Sequence, residues 1–298
     1  MTLPAQILLG ALAVLALTYI WRWFAIERQR RESGTPVSPG LVRPALGFVA
    51  NFFDTLGIGS FAPTTTAFKL LRLVRDELIP GTLNAGHALP TVTQALIFIA
   101  AVSVDPITLV AMISAAVLGA WLGAGIVGRL PRRAIQIGMG VALLAAAALF
   151  VLGNVKLIPS GGDALALRGP LLVAAIAANF LFGALMTLGV GLYAPCLILI
   201  SLLGMNPIAA FPIMMGSCAF LMPVAGLRFI AKRRYDTRAA LGLAIGGIPG
   251  VLIAAFIVKQ LPLLWLRWLV VFVVLYAAFV MLRAASARVP TEAAQVEG

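Results

Sequence analysis

Residues 55–63 read Thr55-Leu56-Gly57-Ile58-Gly59-Ser60-Phe61-Ala62-Pro63, and residues 187–195 read Thr187-Leu188-Gly189-Val190-Gly191-Leu192-Tyr193-Ala194-Pro195. The second phrase begins 132 positions after the first. Each lies inside a strongly apolar stretch and interrupts it where a membrane helix would otherwise run on. Apolar segments broken by glycine and proline at matching places in two halves point to a transporter's substrate site. The correspondence continues beyond the phrase. Pro80 precedes Pro212 by the same offset, and Gly119 matches Gly250, Ile126-Val127 matches Ile257-Val258, and Leu130-Pro131 matches Leu261-Pro262 at an offset of 131. Any two apolar helices share aliphatic residues, so the glycines and prolines carry the inference of a duplicated chain.

Composition sets the class. Of the 298 residues, 62% are hydrophobic and 11% charged, whereas soluble domains sit near half apolar and a quarter charged. A spanning helix takes about 20 apolar residues, and several such runs are present. The net charge of +12 would suggest a nucleic-acid partner in a soluble protein. Here the basic residues fall in short loops between apolar runs, which is the pattern that orients a membrane protein, and no nucleic acid is expected. Cys196 and Cys218 have neither pairing nor metal-ligand spacing. No His-Glu-x-x-His, Gly-x-Ser-x-Gly or phosphate-binding loop occurs, so no enzyme, cofactor or metal is expected, and an ion gradient is the expected energy source. Gly216-Ser217 would need His87, the one histidine, as its base.

The organisation follows from the punctuation. Residues 1–26 form an extra N-terminal transmembrane helix with its basic cluster behind it, the reverse of a signal peptide. A cytoplasmic linker spans 27–40, the first repeat 41–153, a second linker 154–169, the second repeat 170–284 and a polar tail 285–298. Each repeat holds an interrupted element (41–74 and 170–204) and three further apolar elements (81–104, 107–128 and 133–153; 207–230, 239–258 and 263–283). Interrupted elements of about 34 residues are too long for one straight span and too short for two.

Lysine and arginine decide how these elements lie. If each is a re-entrant hairpin, the loops at 22–43, 69–79, 129–133, 228–238 and 283–288 share the cytoplasmic side and hold 18 of the 22 basic residues. A single crossing would send two of those clusters outside, against the positive-inside rule. The expected fold is therefore an all-α polytopic membrane protein of two inverted repeats, each a re-entrant broken-helix hairpin plus three transmembrane helices, preceded by the extra helix. That makes seven crossings and two hairpins, with the N-terminus outside, the C-terminus cytoplasmic and the tips meeting near the midplane.

At the tips, Gly57 and Gly59, and Gly189 and Gly191, permit backbone reversal, and Pro63 and Pro195 open the second arms at the first helical position. Each arm aims a helix N-terminus, with free N–H groups and partial positive charge, at the membrane centre, and this favours a small anion. Thr55, Ser60, Thr64, Thr65, Thr187 and Tyr193 are the polar groups at hand. Asp54, an ionisable residue at membrane depth, is functional by default and is the expected coupling group. Asn84 and His87 follow in the next helix as substrate contacts, and Asn51, Thr91, Gln94, Asn179 and Ser217 either line a cavity or tie helices together. Isolated Gly119 and Gly183 read as packing positions, and Cys196 as a buried thiol.

With its duplicated Gly-x-Gly-x-[Phe/Tyr]-Ala-Pro phrase and the proline-led helix after it, the chain over residues 41–284 resembles the TauE/SafE family of membrane permeases. Ser60 and Leu192 stand where that family commonly has more glycine. The resemblance implies export of sulfite, thiosulfate or an organosulfonate from bacteria. Together with the repeat it gives the expected function, a secondary transporter of the inner membrane coupled through Asp54 to protons or another ion, with an oligomer compatible with the plan. The alternatives are an importer of a different small organic acid and a non-transport membrane assembly component.

Overall fold

Where a chain is surrounded by hydrocarbon, every backbone N–H and C=O must be satisfied within its own segment, and the helix does this. The computed structural model describes residues 2–31, 38–127, 132–155, 157, 162–186, 191–260 and 262–286, and these form eleven α-helices and no named strand. In chain order they are α1 (Leu3–Arg31), α2 (Val42–Thr55), α3 (Phe61–Leu70), α4 (Ile79–Ala101), α5 (Pro106–Val127), α6 (Arg132–Asn154), α7 (Gly169–Met186), α8 (Tyr193–Leu202), α9 (Ala210–Ala231), α10 (Thr237–Gln260) and α11 (Leu263–Ser286). Among the described residues six helices are long and apolar enough to cross a membrane: α1, α6, α7, α9, α10 and α11. The protein is a multi-pass, all-helical membrane protein. The set differs from the expected crossings because α7, the first arm of a hairpin, is itself apolar along its 18 residues. Helix α4 has 23 residues but carries Thr82, Asn84, His87, Thr91, Thr93 and Gln94.

Both interrupted elements break at the duplicated phrase, α2 from α3 and α7 from α8. The partners of each half also match under exchange of halves. Helix α2 lies along α10 as α7 lies along α5, while α4 pairs with α9 and α6 with α11. Glycine makes the first two crossings close. A Cβ on Gly119 would stand 1.9 Å from the Phe180 carbonyl oxygen, and one on Gly250 would stand 2.4 Å from that of Phe48. Phe48 precedes Phe180 by 132 positions, so the same contact is built twice. Gly183 sits equally tight on Ala116, which makes it a packing position as well.

The two hairpins are rooted at opposite ends of the helix bundle. At one end, Phe68 near the close of α3 packs with Ile79, Leu83, Ala239 and Leu243, and Gly47 near the start of α2 also abuts Leu243. The first hairpin therefore returns to the end it left. At the other end the segment before α7 is bound to the start of α5: Asp105 N–H donates to Leu165 O at 2.9 Å, and Leu167 N–H donates to Thr108 Oγ1 at 3.1 Å. Asn206, just after α8, donates its N–H to Ala164 O at 2.8 Å.

Helix α1 runs to Arg31, past the expected linker start at 27, because Glu27 is buried against the turn between α9 and α10. Its carboxylate accepts from the hydroxyls of Tyr235 and Thr237. Tyr19 and Trp23, two turns and one turn earlier on that face, donate to Ala85 O at 2.8 Å and to Tyr235 Oη at 3.1 Å. One stripe of α1 is thus docked on the bundle, and the rest, Leu3, Ile7, Val14 and Trp21 among it, is exposed as a lipid-facing helix requires.

Candidate substrate cavity at the hairpin tips

The chain reverses after α2 through Gly57 and Gly59, whose φ values of 99° and 87° lie where a side chain would be strained. Leu56 and Ile58 both donate to Phe53 O and Gly57 donates to Asp54 O, which closes the end of α2. Helices α3 and α8 start at Phe61 and Tyr193, two residues before the expected prolines. Pro63 and Pro195 therefore occupy the third helical position, still within the first turn, where a missing N–H breaks no intrahelical bond.

Both tips line one cavity of about 80 Å³, residues 58–62 from the first and 191–195 from the second. A water needs about 10–15 Å³ on this measure, so the space holds several waters or one small solute. Phe61 and Ala62, and Tyr193 and Ala194, belong to first helical turns, whose N–H groups have no intrahelical partner. Asp54 and Thr91 add polar groups to the lining, and Met139, Leu143, Met186, Met222, Cys218, Tyr276 and Met281 complete it.

One buried network joins the tips. Gln94 of α4 donates its amide N–H to Asp54 Oδ2 at 2.8 Å and to Thr55 Oγ1 at 2.9 Å, and its carbonyl accepts the Tyr193 hydroxyl at 2.8 Å. Thr55 in turn donates to Asn51 O at 2.7 Å. The partners of Asp54 are neutral, the Gln94 amide and the hydroxyl and N–H of Ser60. A second network stands one turn away. The Asn51 amide nitrogen donates to Gly47 O, which turns its carbonyl toward His87 Nδ1 at 3.0 Å. His87 therefore carries its proton on Nδ1, and Nε2 accepts the Thr64 hydroxyl at 3.2 Å.

The expected site residues divide accordingly. Asp54, Gly59, Ser60, Gly191, Tyr193 and Pro195 line the cavity, and Thr55 and Thr64 are buried behind it as hydrogen-bond partners. Gly57 makes the turn without lining the space. His87 is fully buried with both nitrogens engaged, so it braces α2 and α3 and does not line the cavity. Asn84, Pro63 and Thr65 line a neighbouring recess, and the Asn84 amide is held by Pro80 O at 2.9 Å. Thr187 and Gly189 lie outside the described residues, as do Leu130-Pro131 and Leu261. Asn179 is a helix tie, to Met112 O at 2.7 Å, and Ser217 donates within its own helix to Ile213 O at 2.7 Å, so Ser217 and His87 are not paired. Cys196 is buried away from the cavity. The sulfur-bearing wall was not singled out, because methionine in an apolar run gives no signal of which way it faces.

The recess, of about 1720 Å³, shares Phe61, Ala62, Met186, Tyr276, Val280 and Met281 with the cavity. Around it stand Lys69, Arg228, Lys232, Arg234 and Arg283 against the single acid Asp76. A mouth of this sign concentrates anions.

Residues 1–150 and 171–297 match the family described as Sulfite exporter TauE/SafE. No curated protein and no solved structure matches the chain. The match starts at residue 1, so it takes in α1 as well as both halves. A duplicated, tip-lined cavity in a multi-pass helical bundle, matched along nearly its whole length, makes this chain a member of the TauE/SafE family of membrane transporters.

Proposed function

We propose that the protein is a secondary-active transporter that exports a small sulfur-containing anion, sulfite, thiosulfate or an organosulfonate, across the bacterial inner membrane. The observation that carries this reading is the single cavity walled by the first turns of α3 and α8, whose free N–H groups suit an anion. The sulfur chemistry and the outward direction come from the family's description. The opposite roots of the two hairpins support the inverted arrangement of the repeats. The basic recess supports a cytoplasmic mouth, with the C-terminus inside and the N-terminus outside.

Asp54 supplies the coupling. A carboxylate on the cavity wall with neutral partners opposes an anion beside it, while a carboxylic acid does not. Proton uptake by Asp54 and anion binding therefore favour each other. The titratable groups facing Asp54 are Tyr193 from α8 and Cys218 from α9, both neutral in their ordinary forms at pH 7.

Thermal shift of the purified protein with sulfite, thiosulfate, sulfoacetate and taurine tests the reading. At a hundredfold excess over Kd a ligand stabilises by about 2.7 kcal/mol, and the shift should vanish in Gly59→Leu, whose side chain fills the tip. Binding should tighten as pH falls in the wild type and lose that dependence in Asp54→Asn. No shift with any anion from a folded protein would sink the transport reading. A pH-independent wild type would sink only the coupling.

A further inference from the structure

The cavity is chemically mixed, and besides the tip glycines and first helical turns its lining is rich in sulfur. Four of the chain's nine methionines, Met139, Met186, Met222 and Met281, line it together with Cys218. Two of the thioethers are held in place by donors. The Cys218 thiol lies 3.6 Å from Met186 Sδ, and the Thr91 hydroxyl lies 3.5 Å from Met222 Sδ. This wall is positioned, and it is polarisable and apolar at once. The same cavity is lined by the first residues of α3 and α8, with Ser60 and Thr91 beside them.

We propose that Met186 and Met222 are specificity-determining residues that restrict the site to anions with one non-hydrogen-bonding apex and exclude sulfate and phosphate. The proposal rests on the anion reading of the same cavity and deepens it. An anion seated on the two tips turns its oxygens toward the N–H groups and its remaining substituent toward the thioethers. In a sulfonate that substituent is carbon, in thiosulfate a soft sulfur, and in sulfite a lone pair. Each meets the wall without losing a hydrogen bond. Sulfate and phosphate have a fourth oxygen, and thioethers have no N–H or O–H to offer it. Desolvating that oxygen against the wall leaves a charged acceptor unsatisfied, which costs tenfold or more in affinity. The same geometry admits a short hydrocarbon tail, because the shared residues Met186 and Met281 stand where the cavity joins the recess.

The test compares the affinities of methanesulfonate, thiosulfate, sulfate and inorganic phosphate for the detergent-purified full chain by titration calorimetry. The comparison covers the wild type, Met186→Gln, Met222→Gln and the leucine versions of both. Glutamine keeps the length of methionine and brings an N–H donor, while leucine keeps the wall apolar. Wild type and leucine variants should bind methanesulfonate and thiosulfate at least tenfold more tightly than sulfate. In the glutamine variants that ratio should fall at least fivefold, through a gain for sulfate. Wild-type protein that binds sulfate as tightly as methanesulfonate would overturn the proposal and leave the anion reading standing. Folded glutamine variants with an unchanged ratio would do the same. A chain that binds none of the four anions would overturn both.

Discussion

The two hairpin tips repeat each other in their glycines, aromatic and proline and differ in nearly everything else they present. At an offset of 132 residues, Asp54 corresponds to Met186, Ser60 to Leu192, Phe61 to Tyr193 and Thr64 to Cys196. The first tip is polar. Its carboxyl meets Gln94 and Ser60, and its threonine braces His87. Among its described residues the second is apolar apart from the Tyr193 hydroxyl, and that hydroxyl reaches across to Gln94. Residues that shape the turn and start the next helix appear in both copies, while residues that face the solute do not. A cavity built between two such tips has a carboxyl on its lining from one and a thioether from the other. Neither tip could supply both.

Gln94 is where the comparison breaks most severely. Its side chain is fully buried and serves Asp54, Thr55 and Tyr193 at once. Gln94→Leu removes three buried hydrogen bonds and should lower stability by on the order of 3 kcal/mol, read by denaturation in detergent. A loss under about 1 kcal/mol would mean that the tips are not tied through this amide.

Making the tips alike in charge is the next step. Met186→Asp puts a second carboxyl in the cavity that already holds Asp54. Anion binding should weaken at least tenfold at neutral pH, equivalent to about 1.4 kcal/mol, and recover partly in acid as the pair takes up protons. Undiminished binding in the anion thermal shift would show that the solute sits elsewhere.

Making the second tip like the first at its aromatic is gentler. Tyr193→Phe copies Phe61 and leaves only the Gln94 carbonyl without its donor, which costs about 1–2 kcal/mol. Its melting loss should fall below that of Gln94→Leu. The reverse order would place the tie on the aromatic and not on the amide.

Much of this was legible in the residues. Gly57, Gly59, Pro80 and the paired Pro63 and Pro195 located both breaks and the helix that follows, since backbone reversal and helix initiation are local requirements. Gly119 and Gly183 read correctly as packing positions for the same reason. Which way a polar residue faces was not legible. His87 and Asp54 are both lone ionisable groups in apolar helices, yet Asp54 lines the cavity and His87 is sealed by Asn51 and Thr64. The rotation of a helix about its axis is fixed by packing across the bundle, and α4 touches both halves. The sulfur wall was hidden more deeply, because Met139, Met222 and Met281 come from α6, α9 and α11 and share no spacing. The stripe that docks α1 was hidden in another way. Tyr19, Trp23 and Glu27 recur every four residues, but only Glu27 is charged.

The roots of the hairpins offer the finest comparison. The first root is apolar, Phe68 against Ala239 and Leu243, and should ignore salt and acid. The second is electrostatic: Arg168 grips Asp105 through both guanidinium nitrogens at 2.7 and 2.6 Å, and Thr108 adds its N–H and hydroxyl. The Arg168 hydrogen bonds, helped by Thr108, hold the Asp105 carboxyl well below the usual carboxylate range. A group whose pKa is lower folded than unfolded contributes stability above its unfolded value of about 3.9 and loses it as pH falls below that. Wild type should therefore weaken more than Asp105→Asn between about pH 5 and pH 3, and the two melting curves should converge in acid. The effect is the smallest of the set, because the arginine is largely exposed and solvent and salt screen the pair. Parallel curves would mean that the second root, like the first, is held by packing alone.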